Sequence, residues 1–197
     1  MKELRDAILE QGFGIGHDIV KVDMFLNHRL DIALLNHIGQ AFHEAFADEQ
    51  VDMILTIEAS GIAAAITTAQ AFGDLPVIFA KKSKTTSTMN NDVYEAKVYS
   101  FTHKTENYIR IAKSYLPSGV NVLIIDDFLA NGEAAEGLAE LVRQAGAHVA
   151  GIGVCIEKGF QAGGQKLRNE GYKVVSLATV TGIENGKLML AGGEAQA

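Results

Sequence analysis

The fold of this chain is constrained most by short apolar runs that are rich in Val and Ile and separated by helix-like stretches. The runs lie at residues 53–57, 76–80, 120–125 and 149–156. Nearly continuous hydrophobicity of this kind implies strands that are buried on both faces of a sheet. Stretches with helical character lie between them at residues 62–72 and 133–145, and Gly146 after the second is suited to a helix C-cap. This alternation predicts an α/β fold, with a parallel sheet flanked by helices and joined by right-handed crossovers.

Further elements are expected on either side of this alternating region. Apolar residues at three- and four-residue spacing predict an amphipathic helix over residues 30–48. Residues 174–180 and 187–190 suggest two more strands around a turn at residues 184–186.

Residues 81–116 interrupt the alternation of predicted strands and helices. This segment is polar and rich in Thr, Ser and Asn up to residue 91 and then alternates in character, which indicates a loop followed by a β-arm. A connection of this length in a compact domain is typically a functional lid or is disordered. Because the alternating pattern predicts strands after the loop, we expect a flexible arm over about residues 83–104 that acts as a lid.

Length and composition fit a single domain over residues 1–197. About 200 residues can bury roughly 70% of the unfolded surface, and 48% of the residues here are hydrophobic. The single cysteine, Cys155, excludes a disulfide framework and is interpreted as core filler in a reducing compartment. With no signal peptide and no apolar window long enough for a membrane helix, we expect a cytoplasmic protein without membrane contact.

Charge narrows the choice of ligands. The net charge is -7, and no basic block is present. Binding to nucleic acid needs clustered Lys and Arg, so we do not expect a nucleic-acid partner. The six histidines show no metal-ligand spacing, and no metal site made by the protein alone is expected. An anionic ligand would therefore need a local site.

The strongest chemical signal is VLIIDDFLANGEAAEGL at residues 122–138. The strand predicted there ends in Asp126 and Asp127, and ligands of open α/β sheets bind at such strand ends. Adjacent carboxylates repel each other unless hydroxyl donors or a divalent cation share their charge. The following small-residue loop offers backbone N–H groups at a helix N-terminus, which can hold a phosphate. Its residues are Ala130, Asn131, Gly132, Glu133 and Ala134.

A structural interpretation of the same segment is equally compatible with its spacing. The two aspartates could lie in an exposed turn, with Asn131 as an ordinary helix N-cap.

A second strand-to-helix turn lies at residues 58–61. Ser60 and Gly61 provide a hydroxyl and closely approachable amides at another helix N-terminus, although a plain turn would look similar. Lys81 and Lys82 follow the next predicted strand, where they are either solvated lysines or cations for an anionic ligand.

The segment at residues 122–138 resembles the phosphoribosyl-diphosphate signature of the type I phosphoribosyltransferases. The resemblance also includes VKVDMFLNHRLD, IEASGIAAA, VIFAKKSK, VYSFT and GIGVCIEKGFQAGG, and so covers nearly the entire chain. These segments are most similar to bacterial members of the family that act on xanthine. The resemblance implies the type I fold, with a small hood formed by about residues 1–30 and the C-terminal strands.

The implied reaction is transfer of the 5-phosphoribosyl group from phosphoribosyl diphosphate to xanthine, which gives xanthosine 5-monophosphate and diphosphate. By this resemblance Asp126 and Asp127 hold the ribose hydroxyls, and residues 130–134 hold the 5-phosphate. The turn at residues 58–61 binds the diphosphate, with Lys81 as a nearby cation. Mg²⁺ is implied as a cofactor, bound mainly through the diphosphate and the ribose hydroxyls. The family is dimeric, so we expect a homodimer.

Base recognition is implied at Val20, Asn27 and Lys158. Asn27 can donate and accept hydrogen bonds, and Lys158 could donate to an oxo group or favour a partly anionic base. Structurally, Asn27 could instead cap the following helix, and Lys158 could pair with a surface acid. Asn131 and Glu133 depart from the Thr or Gly common in the family at these positions, and we expect the Glu133 carboxylate to point away into solvent.

Two other functions remain open from the sequence. One is a hypoxanthine or guanine phosphoribosyltransferase. The other is a noncatalytic regulator that binds phosphoribosyl diphosphate, but regulators on this fold carry an added DNA-binding domain. We expect none here, because the chain is acidic and the resemblance begins at about residue 1.

Overall fold

Helices and strands alternate through the computed structural model, which describes residues 1–83, 92–100 and 105–192. The helices are α1 (Lys2–Gln11), α2 (Ile32–Ala45), α3 (Gly61–Ala71), α4 (Glu133–Gln144) and α5 (Gly163–Asn169). The strands are β1 (Phe13–Ile15), β2 (Ile19–Lys21), β3 (Met53–Ile57), β4 (Val77–Ser83), β5 (Val93–Ser100), β6 (Thr105–Ala112), β7 (Asn121–Leu129), β8 (His148–Lys158), β9 (Val174–Glu184) and β10 (Lys187–Leu190). A π-helical turn (Asp23–Asn27) and a 3₁₀ turn (Lys113–Tyr115) complete the regular structure of this part of the chain.

The central sheet has eight strands in the order β10-β9-β8-β7-β3-β4-β6-β5. The strands from β9 to β4 in this order run parallel to one another, whereas β10, β6 and β5 pair antiparallel at the two edges. The predicted parallel sheet flanked by helices is therefore confirmed for the centre of the sheet. Its antiparallel edges come from the β9–β10 hairpin and from the arm.

Side chains alternate between the two faces of β7. Leu123 and Ile125 join the core under α1, α2 and α3, while Val122 and Ile124 join the core under α4. This explains the nearly continuous apolar run, since both faces of the strand are covered. Cys155 is fully buried in the first of these cores, in agreement with its interpretation as core filler.

The arm contains the predicted strands. Residues of β5 and β6 pair in continuous antiparallel register from Val93 with Ala112 to Ser100 with Thr105. The alternation seen in the sequence is thus that of a β-hairpin. Residues 84–91 and 101–104, on which the prediction of a flexible lid largely rests, lie outside the described residues.

The N-terminal segment lies against the last two strands, and we use the word hood for these contacting elements: α1, β1, β2, the π-helical turn and the β9–β10 hairpin. The Met1 ammonium donates to the Leu177 carbonyl at 2.8 Å, and the Gly14 N–H donates to the Gly186 carbonyl at 2.8 Å. The predicted turn before β10 is present as a two-residue loop, in which Asn185 and Gly186 both have positive φ.

Several boundaries differ from those predicted. Helix α2 begins at Ile32 because Asp31 caps it, accepting from the Leu34 N–H at 3.1 Å. Gly146 lies one residue beyond the C-cap of α4 and has a φ of 68°, which fits a helix-terminating glycine. Helix α5 was not predicted. Among the helices of the described part of the chain, none has the length and apolar character needed to cross a bilayer.

Candidate active site

Asp126 and Asp127, the acid pair, lie inside β7 and not after its end. The strand continues because Phe128 and Leu129 still pair with Ile156 and Glu157 of β8. The prediction that the strand ends at the acid pair is therefore wrong by a few residues. Both carboxylates are buried, with 7% and 6% of their residues' surface exposed, so the exposed-turn alternative is also wrong.

Burial dominates the electrostatics of the acid pair. It raises the pKa of Asp126 well above its usual range, repulsion from Asp127 adds to this, and the charge of Lys82 opposes it. The Asp127 N–H donates to Asp126 Oδ1 at 3.0 Å. Neither aspartate forms an ion pair at contact distance with a residue in the described ranges. Hydroxyl donors or a cation from a ligand could share this charge.

The second strand-to-helix turn reaches the acid pair. A Cβ on Gly61, the first residue of α3, would lie 2.6 Å from Asp126 Oδ1 and would also overlap Thr56 Oγ1. Glycine therefore allows the start of α3 to approach the carboxylate. Ser60 is the N-cap residue but makes no side-chain capping bond. Glu58 precedes a cis peptide bond to Ala59 and accepts from the Lys82 N–H at 2.6 Å.

Residues 130–134, the phosphate loop, join β7 to α4. Gly132 is the N-cap of α4 and has a left-handed φ of 99°, a conformation that favours glycine. Asn131 is therefore not the cap, and the structural alternative for that residue is wrong. The first turn of α4 directs its free N–H groups toward this loop, as required for anion binding.

Glu133 is half-buried, and the direction of its carboxylate relative to a phosphate stays a prediction. Burial raises the pKa of its carboxyl, Glu136 adds to the increase, and Lys166 opposes it.

Lys81 and Lys82 are both exposed at the end of β4. The charge of Lys82 acts on Asp126, and the role of Lys81 as a cation near the diphosphate stays a prediction. Both also line a cavity of about 460 Å³ with Phe79, Arg110 and Tyr115. The walls of that cavity include neither the acid pair nor the phosphate loop, so among the candidate site residues only the two lysines border it.

Asn27 joins the hood to the acid pair. Its Nδ2 donates to Asp127 Oδ2 at 3.2 Å, and its buried Oδ1 has no hydrogen-bond partner among the described residues. Asn27 does not cap α2, because Asp31 does. Val20 is buried in the hood with 7% exposure.

Lys158 lies at the end of β8, between the hood and β7. Its ammonium donates to the Asp18 carbonyl at 2.7 Å and lies 5.8 Å from the centre of the Phe128 ring. Burial lowers the pKa of Lys158, and Asp18 opposes this. The hydrogen bond goes to a backbone carbonyl, which differs from the surface ion pair considered from the sequence.

Sequence reasoning missed the residues that support this site. Phe128 lies under the Lys158 ammonium, and Gly163 donates its N–H to the Ala130 carbonyl of the phosphate loop at 3.2 Å. The signal available for the latter was the Gly163-Gly164 pair after a predicted strand. Adjacent glycines there indicate a close backbone approach.

The acid pair fits a magnesium ion that is shared with a ligand. Mg²⁺ is held by oxygen ligands, typically one or two carboxylates together with substrate phosphates. The described residues contain no group of three or more His, Cys, Asp or Glu that could cage a metal. The carboxylates of Asp126 and Asp127 are of the ligand type that would suit such an ion.

Comparisons with known proteins agree with this geometry. The family model for the phosphoribosyl transferase domain matches residues 21–186. The xanthine phosphoribosyltransferase of Clostridioides difficile (strain 630) is 52% identical over 186 residues, covering 94% of this chain and 97% of that protein. The xanthine phosphoribosyltransferase of Ruminiclostridium cellulolyticum is 52% identical over 188 residues, covering 95% and 98%.

A solved structure shows the same fold. The adenine phosphoribosyl transferase of Trypanosoma brucei, in complex with AMP, pyrophosphate and ribose-5-phosphate, aligns with a TM-score of 0.72. The two are 16% identical, and the alignment covers 89% of this chain and 79% of that one. The chain has the type I fold and belongs to the phosphoribosyltransferase family.

Proposed function

We propose that this protein transfers the 5-phosphoribosyl group of phosphoribosyl diphosphate to xanthine in purine salvage, giving xanthosine 5-monophosphate and diphosphate. The observation that carries the proposal is the contact of Asn27 with Asp127, which joins a buried acceptor in the hood to a buried carboxylate of the sheet. A purine and a ribose can be held side by side at these two residues. Near full-length relatives that are named xanthine phosphoribosyltransferases support the choice of base.

Asp126 and Asp127 accept hydrogen bonds from the ribose 2- and 3-hydroxyls. These donors share the charge of two carboxylates whose burial is otherwise costly. The phosphate loop binds the 5-phosphate through the backbone N–H groups at the start of α4. Ser60 and Gly61 bind the diphosphate at the start of α3, where the Ser60 hydroxyl is not used for capping.

The reaction breaks the bond from C1 of the ribose to the diphosphate oxygen and forms a bond from C1 to a purine nitrogen. The diphosphate leaves with the bonding electron pair, and the proton of the purine N–H is released to the medium. The transition state resembles an oxocarbenium ion, so no protein nucleophile is needed, and catalysis comes from positioning and charge stabilisation. Lys81, with Lys82 beside it, places positive charge near the leaving diphosphate.

Magnesium fits the acid pair. Asp126 and Asp127 would hold Mg²⁺ together with the substrate, and the ion would supply positive charge that neutralises the diphosphate leaving group. Asp126 and Asp127 orient the ribose hydroxyls. The positive charge of Lys82 lowers the pKa of Asp126 and so opposes the effect of burial.

Xanthine lies between Asn27 and Lys158, against Val20. The unpartnered Oδ1 of Asn27 accepts from a purine N–H, and the Lys158 ammonium donates to an oxo group. A cation here also favours xanthine in its partly anionic form, since xanthine is more acidic than hypoxanthine or guanine. Closure of the arm at about residues 83–104 would exclude water from this site.

The proposal includes a homodimer located in the cytoplasm. The dimer rests on the family resemblance, and the location rests on the single cysteine, which is fully buried and unpaired by any disulfide. Light scattering of the purified protein tests the dimer and would contradict it by returning the mass of one chain.

The direct test is a turnover assay with the purified full-length chain, xanthine, phosphoribosyl diphosphate and Mg²⁺. We expect xanthosine 5-monophosphate and diphosphate in equal amounts, with turnover abolished by a chelator. Asp126→Asn and Asp127→Asn should lower kcat/KM for phosphoribosyl diphosphate about a hundredfold, the cost typical of lost transition-state positioning. Unchanged turnover in both variants would remove the acid pair from the mechanism, and no nucleotide product from the wild type would refute the function.

A further inference from the structure

We propose that helix α5 braces the phosphate loop from behind, with Gly163 and Arg168 as positioning residues for binding of the ribose 5-phosphate group. This inference rests on the proposed function of the phosphate loop. It assigns a role to residues that do not themselves face the acid pair.

Gly163 is fitted against the backbone of the phosphate loop. A Cβ on Gly163 would lie 2.5 Å from both the Asn131 carbonyl carbon and the Gly132 nitrogen. In the reverse direction, a Cβ on Gly132 would lie 3.2 Å from Gly163 Cα. The Gly163 N–H donates to the Ala130 carbonyl at 3.2 Å. Helix α5 and the phosphate loop therefore meet backbone to backbone, where no side chain can yield to a change in spacing.

Arg168 ties the other end of α5 to the sheet. Its guanidinium donates to both oxygens of Glu157, at 2.9 Å and 2.7 Å. Glu157 is buried on β8 with 7% exposure, and its carboxylate also accepts from the Ser176 hydroxyl on β9. A two-point bond of this type fixes the direction of the helix as well as its distance from the sheet.

Gly164 allows this ion pair to form. A Cβ on Gly164 would overlap Glu157 Oε1 and would lie 2.7 Å from Arg168 Nη1. The two adjacent glycines therefore leave space for different neighbours. The missing side chain of Gly163 allows α5 to contact the phosphate loop, and that of Gly164 leaves room for the Glu157–Arg168 ion pair.

A further ion pair links α5 to the helix that the phosphate loop starts. The Lys166 ammonium lies 2.6 Å from Glu136 Oε1, in the first turn of α4. The same Glu136 oxygen is 3.4 Å from the position that a Cβ on Gly132 would take. Helix α5 therefore contacts the phosphate loop through Gly163 and the first turn of α4 through Lys166.

The consequence concerns the direction of the phosphate loop amides. A phosphate is bound by N–H groups aimed at it, and a displacement of about 1 Å can cost about a hundredfold in catalysis. A change in α5 that moves Gly163 should therefore weaken binding of the ribose 5-phosphate group while leaving the xanthine site in place.

The test uses the full-length protein and ribose 5-phosphate as the probe, with its affinity measured by calorimetry. Gly163→Ala should weaken this affinity about tenfold or more and raise KM for phosphoribosyl diphosphate similarly, while KM for xanthine changes less than about twofold. Gly182→Ala is the matched control, because a Cβ there meets nothing within 4 Å, and it should change none of the three values.

Arg168→Lys provides a second variant should Gly163→Ala fail to fold. It keeps the positive charge beside Glu157 but loses the two-point geometry. We therefore expect its affinity for ribose 5-phosphate to lie between that of the wild type and that of Arg168→Gln. Wild-type affinity in Arg168→Lys and Arg168→Gln, or equal increases in both KM values in any of the variants, would overturn the brace.

The failure of the proposed reaction is separable from the failure of this inference. If the wild type binds ribose 5-phosphate but forms no xanthosine 5-monophosphate, the proposed function fails, and the calorimetric comparison still decides the role of α5. If the wild type does not bind ribose 5-phosphate at all, the brace is refuted.

Discussion

The side-chain amide of Asn27 donates to the Asp127 carboxylate at 3.2 Å, across one hundred positions of sequence. Asn27 ends the π-helical turn of the hood, and Asp127 lies on the central strand β7. One polar contact therefore joins the proposed base site to the proposed ribose site. Because the other amide atom, Oδ1, is buried without a partner in the described residues, binding of a base at Asn27 would complete a chain from purine to carboxylate.

Asn27→Ala should weaken the binding of both substrates. It removes the donor to the buried Asp127, and leaving a buried acceptor unpaired costs about 1 to 3 kcal/mol. We expect KM for xanthine and KM for phosphoribosyl diphosphate to rise together, about fivefold to a hundredfold, on the same scale. Steady-state kinetics with each substrate varied in turn measures this. An increase for xanthine alone would mean that the contact does not couple the two sites.

Gly132→Ala should impair substrate binding beyond its effect on stability. An alanine at a φ of 99° costs about 1 to 2 kcal/mol, and its Cβ would also press on Gly163. Gly119→Ala is the matched control, because Gly119 has a φ of 82° with nothing within 4 Å of its Cβ position. Both variants should lose stability in urea unfolding, but only Gly132→Ala should raise KM for phosphoribosyl diphosphate. Equal kinetics in the two variants would argue against phosphate binding by this loop.

Lys158→Ala should act on xanthine selectively. Hydrogen bonds from charged groups contribute about 1.5 to 3 kcal/mol, so we expect KM for xanthine to rise about tenfold or more, with little change for phosphoribosyl diphosphate. Lys173→Ala is the control, because Lys173 also lies over an aromatic ring, 5.2 Å from the centre of Phe46. That variant should retain both KM values. Loss of activity toward all purines alike in Lys158→Ala would refute a role in reading the base.

The Glu157–Arg168 pair should stabilise the fold only above acidic pH. The hydrogen bond from Arg168 holds the pKa of Glu157 below its ordinary value of 4.5. A carboxyl with a depressed pKa contributes stability that is present above the unfolded value and is lost as pH falls through the folded value. The free energy of unfolding of the wild type should therefore fall below about pH 4.5 more steeply than that of Glu157→Gln.

Urea unfolding from about pH 6 to about pH 3 measures this difference. Glu184→Gln, at an exposed position in the β9–β10 hairpin, should follow the wild type. Parallel curves for the wild type and Glu157→Gln would contradict the assignment.

The sequence predicted the elements that depend on local pattern. The Val and Ile runs correspond to β3, β4, β7 and β8, because burial on both faces leaves a continuous apolar signal. The acid pair, the phosphate loop and the turn at residues 58–61 stood out because carboxylates and small residues follow predicted strands there, but the choice of binding roles over ordinary turns came from the family resemblance. Strand β7 runs past the acid pair because its pairing with β8 continues to Leu129, which no single-strand pattern shows.

The contacts between distant segments were not predictable in the same way. Asn27 is linked to Asp127, Lys158 to Asp18, and Arg168 to Glu157 by the packing of separate elements. Their residue types are compatible with ordinary surface positions, and only the fold brings them together. Glu133 is likewise acted on by the charge of Lys166 in α5, a long-range effect that the sequence around Glu133 does not encode.

The measurement that tests the central claim most directly is a competition assay with the wild-type chain. Equal concentrations of xanthine, guanine, hypoxanthine and adenine are supplied with limiting phosphoribosyl diphosphate and Mg²⁺, and the nucleotide products are quantified by mass spectrometry. We predict that xanthosine 5-monophosphate is the main product and that Lys158→Ala reduces its share. A product mixture dominated by guanosine, inosine or adenosine monophosphate, or no nucleotide at all, would contradict the proposed function.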